Sequence, residues 1–138
     1  MMELPARRWL NLAAIKTMAA AAEAEAARLD VQVTICIVDE SGNVIFLQKA
    51  DGTGLNTLQF AQKKARYAAI YGRNSAIAAD QLKAGNVSVL AFPDAFPNQG
   101  GVVVKVEGQT IGAVACSGAP SEVDEAIAQA AVDALLKK

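Results

Sequence analysis

The stretch that most constrains this chain runs from residue 92 to residue 120. Pro93 and Pro97 remove backbone donors and stiffen a segment that cannot be regular structure. Gly100 and Gly101 follow, opening backbone dihedrals closed to other residues or letting the chain approach a ligand closely. Residues 102–106 and 110–117 then read as two strands, with Glu107-Gly108-Gln109 as the short turn between them. A stiff loop feeding a hairpin commits this half of the chain to antiparallel pairing. A loop with exposed amide donors at its mouth is also a place where binding sites are built.

The rest of the chain supplies partners for that hairpin. Asn11 is placed to cap a helix whose positions Leu12, Ile15, Ala19, Ala22, Ala26 and Leu29 step by three and four. Val31, Val33, Ile35 and Ile37 alternate with Gln32, Thr34 and Cys36, the period of a strand. Ser41-Gly42-Asn43 turns the chain and residues 44–48 return as a second strand. Asn56 opens a helix reaching Tyr71, with Leu58, Ala61, Ala65 and Ala68 on one face and Gly72 as its C-cap. Ser75 caps a short helix that ends at Gly85, and residues 87–92 read as a strand or an extended lead into the loop. Ser121 and Asp124 have the spacing of a capping box at the start of a last helix carrying Val123, Ile127, Ala130, Ala134 and Leu135 on one face. Hairpins dominate, so the sheet should be antiparallel and covered by helices.

A length of 138 residues is one domain, and an apolar content of 53% supports a substantial core with surface left for self-association. A net charge of −1 argues against nucleic acid or an anionic membrane as partner. Charged residues interrupt every apolar run of the N-terminal segment, so it does not read as a secretory signal, and no stretch is apolar enough to span a membrane. The expectation is a cytoplasmic protein with Cys36 and Cys116 reduced and lying on different sheet faces. The chain has no histidine. That excludes Ser-His-Asp and Cys-His catalysis and His-ligated metal, and no metal site is expected.

Three blocks resemble one family: the Phe92-Pro93 loop running to Gly100-Gly101-Val102, the hairpin Glu107-Gly108-Gln109-Thr110-Ile111-Gly112, and Ser117-Gly118-Ala119-Pro120 with Asp124-Glu125-Ala126. Upstream, Ile37-Val38-Asp39-Glu40-Ser41-Gly42-Asn43-Val44 and Lys64-Ala65-Arg66-Tyr67 leading to Gly72-Arg73 match it as well. The chain thus resembles the GlcG/HbpS family, which includes haem-binding proteins and the C-terminal domain of PduO corrinoid adenosyltransferases. The resemblance implies a single α+β domain over residues 1–138, with a five-stranded antiparallel sheet, helices on both faces and a profilin-like outline. It also implies a homo-oligomer that binds a small molecule, with haem, another tetrapyrrole or another anionic planar ligand as candidates. Without histidine, a haem iron would have to be held by Cys116, Tyr67, Tyr71, a lysine, a methionine or a threonine. Two other readings remain open: a metal-independent isomerase or lyase acting on a small anionic catabolic metabolite, and a structural or regulatory subunit.

The binding site is expected where the loop, the cationic helix and the Ser117-Gly118 turn meet. Lys64 and Arg66 would fix an anionic group, with Lys63 on the solvent side. Phe92 and Phe96 would form an apolar wall, and Gly100, Gly101, Ser117 and Gly118 would present amides. On the enzyme reading Asp39, Lys64 and Glu125 would transfer protons. Asp39 equally suits plain turn chemistry, and carboxylates in the first turn of the last helix suit its dipole.

Overall fold

A computed structural model describes residues 1–137. Asn11 caps α1 (Leu12–Arg28) as its spacing predicts, its side-chain oxygen accepting from the Ala14 amide at 2.9 Å. Two hairpins follow from the alternating segments: β1 (Thr34–Asp39) with β2 (Val44–Lys49), and β3 (Gly101–Val106) with β4 (Gln109–Ser117). Between the hairpins lie α2 (Thr57–Tyr71), α3 (Ala76–Lys83) and a 3-10 turn at Val87–Ala91, and α4 (Ser121–Leu136) closes the chain. Gly72 ends α2 in the left-handed conformation. Glu107 and Gly108 both have positive φ, the backbone of a two-residue hairpin turn matched to strand twist.

The sheet has four strands in the order β2-β1-β4-β3, all antiparallel. The five-stranded sheet expected above is therefore incorrect: residues 87–91 coil into 3-10 geometry. The edge a fifth strand would join is already occupied. Ser75 donates its amide to the Gly101 carbonyl and accepts the Gly101 amide on its Oγ, and Asn74 Oδ1 accepts from the Val103 amide. These contacts satisfy the outer edge of β3 near its start, so residues 87–91 have little ladder left to join there.

Helices cover both faces. Ile35, Ile37, Val114 and Cys116 face α1 and α4, packing with Met18, Ala22, Ile127 and Ala131. Cys36, Val38, Ala113 and Ala115 face α2, against Ala61, Ala65 and Ala68. The small side chains on that second face let α2 approach the sheet closely. Cys36 and Cys116 are buried, unbridged and on opposite faces, and burial pushes the Cys36 thiol up to about 12. Among the described residues no helix is long and apolar enough to cross a membrane.

Candidate functional site

The first strand pair and α2 are tied together at one end of the sheet. Thr34 and Thr57 share a hydroxyl hydrogen bond of 2.8 Å, and Thr57 Oγ1 donates to the Gly54 carbonyl. Thr34 pairs in register with Ser117, the last residue of β4, so Ser117 lies on the α2 face beside the start of that helix. The chain then turns at Gly118, whose φ of 137° and close approach to the Gln32 carbonyl leave no room for a side chain. It enters α4 at once. The starts of α2 and α4 thereby flank a cleft of about 360 Å3.

Lys64 forms the inner wall of the cleft. It stands three residues after Ala61 and four before Ala68, and so belongs to the buried stripe of α2. Its ammonium donates to the Cys116 carbonyl at 3.0 Å and to Asp124 Oδ2 at 3.3 Å, with both charged side chains at most 3% exposed. Asp124 Oδ1 accepts from the Ala119 amide. Burial pushes the Asp124 carboxyl above the usual carboxylate range, against the opposing pull of Lys64 and of the Ala119 and Gly118 amides. Asp124 therefore caps the turn before α4, and the capping box expected at Ser121 does not form: Pro120 is the N-cap and Ser121 is the first helical residue.

The rest of the lining is polar: Asn56 at the start of α2, Asn98 from the proline loop, Ser117, and Ser121 on α4. Among the described residues none of these four side chains hydrogen-bonds within the protein. Ser117 is only 4% exposed, and its hydroxyl opens onto the cleft. Phe60 supplies an apolar edge and meets Phe96 edge-to-face, ring centres 5.2 Å apart.

Of the residues singled out from sequence, Lys64, Ser117 and Gly118 line this cleft and Phe96 backs it through Phe60. Gly100 packs on the Lys64 ammonium, where an added Cβ would come within 2.8 Å of Nζ. The Gly101 amide is spent on Ser75, and the Ala119 amide after Gly118 on Asp124, so neither is a free oxyanion donor. Arg66 faces away from the cleft. Its Nε donates to Asp94 at 2.8 Å, and it borders a separate groove of about 270 Å3 with Gly42, Val44, Gln59, Gln62 and Lys63. Phe92 is exposed and outside the cleft. Lys63 is exposed on the solvent side as expected, its ammonium 5.7 Å from the centre of the Phe96 ring. Asp39 sits at the far end of β1, accepting from the Ser41 and Asn43 amides as turn chemistry requires. Glu125 accepts from Gln99, joining the loop to α4. Asp39, Lys64 and Glu125 are not brought together.

Local sequence marks Asn56 and Ser121 only as helix starts and does not mark Asn98 at all; the three meet at the cleft only through tertiary folding. Asp124 carried a signal, since it leads Ile127, Ala128 and Ala131 on the buried stripe of α4.

A four-stranded antiparallel sheet sandwiched between helices, with a polar cleft where two helices begin, defines a small α+β domain with a ligand-sized site. Residues 10–133 match the family described as haem degrading protein HbpS-like, and the chain belongs to that GlcG/HbpS family. It is 31% identical over 131 residues to a 15.0 kDa protein from the dhaT-dhaS intergenic region of Citrobacter freundii, covering 90% of each chain. It is 32% identical over 98 residues to Protein GlcG of Escherichia coli K12, covering 71% of this chain and 73% of that one. The crystal structure of Klebsiella pneumoniae protein ORFY superposes with a TM-score of 0.89 at 26% identity, covering 100% of this chain and 99% of that one. The HbpS crystal structure does so at 0.86 and 28% identity, covering 99% and 96%. The structure of a PduOC:haem complex gives 0.85 at 25% identity, covering 94% and 96%.

Proposed function

We propose that this protein binds a small molecule in the cleft between the starts of α2 and α4. The observation that carries this reading is Ser117, a nearly buried residue whose hydroxyl has no partner inside the protein and opens onto the cleft. Buried polar groups are ordinarily hydrogen-bonded, so a group left open at a cleft is suited to a ligand or to water that a ligand displaces. Binding is favoured over acid–base catalysis because the two ionisable side chains of the cleft, Lys64 and Asp124, are engaged with each other.

An anionic planar ligand such as haem is the second reading, and likeness to the PduOC:haem complex favours it. The residues of this chain do not fit haem in the cleft. The lining is polar and, among the described residues, holds no methionine. The other donors are committed: Cys116 is buried in the core, Tyr67 accepts from Arg73, Tyr71 donates to the Pro93 carbonyl, Thr57 is bonded to Thr34 and the Gly54 carbonyl, and Lys64 is paired.

Self-association belongs to the same reading. Ile77, Val87, Leu90 and Phe92 remain exposed around α3 and the adjoining 3-10 turn, an apolar surface that a second copy would cover. Light scattering is expected to give a mass above that of one chain.

Fragment screening by saturation-transfer NMR tests the cleft. Polar fragments are expected to bind the protein and to be lost in a folded Ser117→Ala variant. Fragments that bind Ser117→Ala equally well would place the ligand elsewhere. A stoichiometric Soret shift on haemin titration would establish the second reading instead.

A further inference from the structure

We infer that the ligand of the cleft is uncharged and carries hydroxyl, carbonyl or carboxamide groups; the inference rests on the cleft being the ligand site. The charges of the lining cancel. Lys64 and Asp124 are its ionisable side chains, they lie 3.3 Å apart, and both are sealed from solvent. A carboxylate or phosphate entering the cleft gains from Lys64 but meets the Asp124 carboxylate beside it, and a cation meets the reverse. Of the two helix starts at the cleft, the positive end of α4 is matched by Asp124 in its first turn. The start of α2 has no acidic residue in its first turn, so its end is the weaker opposing contribution that favours an anion. Arg66, the other cation that an anionic ligand would need, points into a different groove and is paired with Asp94.

What the lining offers is neutral. The Asn56 and Asn98 carboxamides and the Ser117 and Ser121 hydroxyls each donate and accept, and none is used within the fold among the described residues. A partner for such a set carries donors and acceptors together. A cleft of about 360 Å3 lies at the small end of ligand-pocket volumes, and small polyols, hydroxyaldehydes and hydroxyamides fit within it.

The test uses two probes of the same shape that differ in charge: lactamide and lactate, titrated by NMR into the whole protein at constant ionic strength. Lactamide is expected to bind roughly tenfold tighter than lactate or better, the ratio set by about 1.4 kcal/mol of charge discrimination. Ser117→Ala should weaken lactamide. Asp124→Asn leaves the Lys64 charge uncompensated and should shift the preference toward lactate. Equal or tighter binding of lactate to the wild-type protein overturns the inference, whatever the variants do. If neither probe binds, the neutral-ligand inference fails, and the broader reading is then judged by the fragment screen and its dependence on Ser117.

Discussion

Lys64 and Asp124 join helices on opposite faces of one sheet, their charged ends meeting 3.3 Å apart beyond the end of β4. Lys64 comes from α2 and Asp124 from α4, and the Cys116 carbonyl completes the contact from the strand between them. Removing two charges from water is costly, and the pair persists because each end is hydrogen-bonded.

Breaking the pair on one side should therefore cost more than removing it altogether. Lys64→Ala or Asp124→Ala is expected to destabilise the protein by about 3–5 kcal/mol, because each leaves a buried charge alone. The double change Lys64→Met with Asp124→Leu is expected to recover much of that loss. Urea denaturation of the three variants checks it; a double variant as unstable as the sum of the singles would refute the mutual compensation.

The Asp124 carboxyl also predicts a pH dependence. Its pKa in the folded protein is raised from the ordinary value of 3.8, chiefly by burial, so the folded state binds more protons than the unfolded state above that value. The contribution of this group to stability is then full below the unfolded pKa and is lost as pH rises through the folded one. Stability measured relative to Asp124→Asn should accordingly fall with rising pH across that window. A rise over the same range would mean that Lys64 outweighs burial.

Gly100 is predicted to be intolerant of any side chain. Its φ of +136° strains an L-residue, and an added Cβ would stand 2.8 Å from Lys64 Nζ and 2.9 Å from the Cys116 carbonyl. Gly85 provides the control, with φ +97° and open space around it. Both alanine variants carry backbone strain of about 1–3 kcal/mol. Gly100→Ala should add about 1–3 kcal/mol of overpacking to this, read as a lower thermal midpoint than that of Gly85→Ala.

Arg66 and Lys63 should prove nearly interchangeable in their effects. The Arg66–Asp94 pair is solvent-exposed, and such pairs contribute about 0–1 kcal/mol. Arg66→Ala and Lys63→Ala are each expected to leave stability within about that range and to leave lactamide binding unchanged. Loss of binding in Arg66→Ala alone would move the site to the groove beside Gly42.

Much of the fold was legible because it is local. The alternation through Ile35 and Ile37, the Glu107-Gly108 turn, the Asn11 cap and the Gly72 stop each depend on neighbours a few residues away, and each stands in the structure. Lys64 is in step with Ala61 and Ala68, and Asp124 with Ile127 and Ala131, yet the faces read from sequence left both charges off the buried stripes, because a lysine beside a lysine and a carboxylate in a first turn look like surface. Tertiary structure decided the rest. Whether residues 87–91 extend as a strand depends on an edge that Asn74 and Ser75 occupy first, and no window around residue 87 contains that information. Whether Arg66 or Lys64 faces the cleft depends on which side of α2 meets the sheet. The hydroxyl and amide lining of the cleft exists only once Asn56, Asn98, Ser117 and Ser121, far apart along the chain, are folded together. Local periodicity sets which face a side chain occupies, but what that face meets depends on long-range packing.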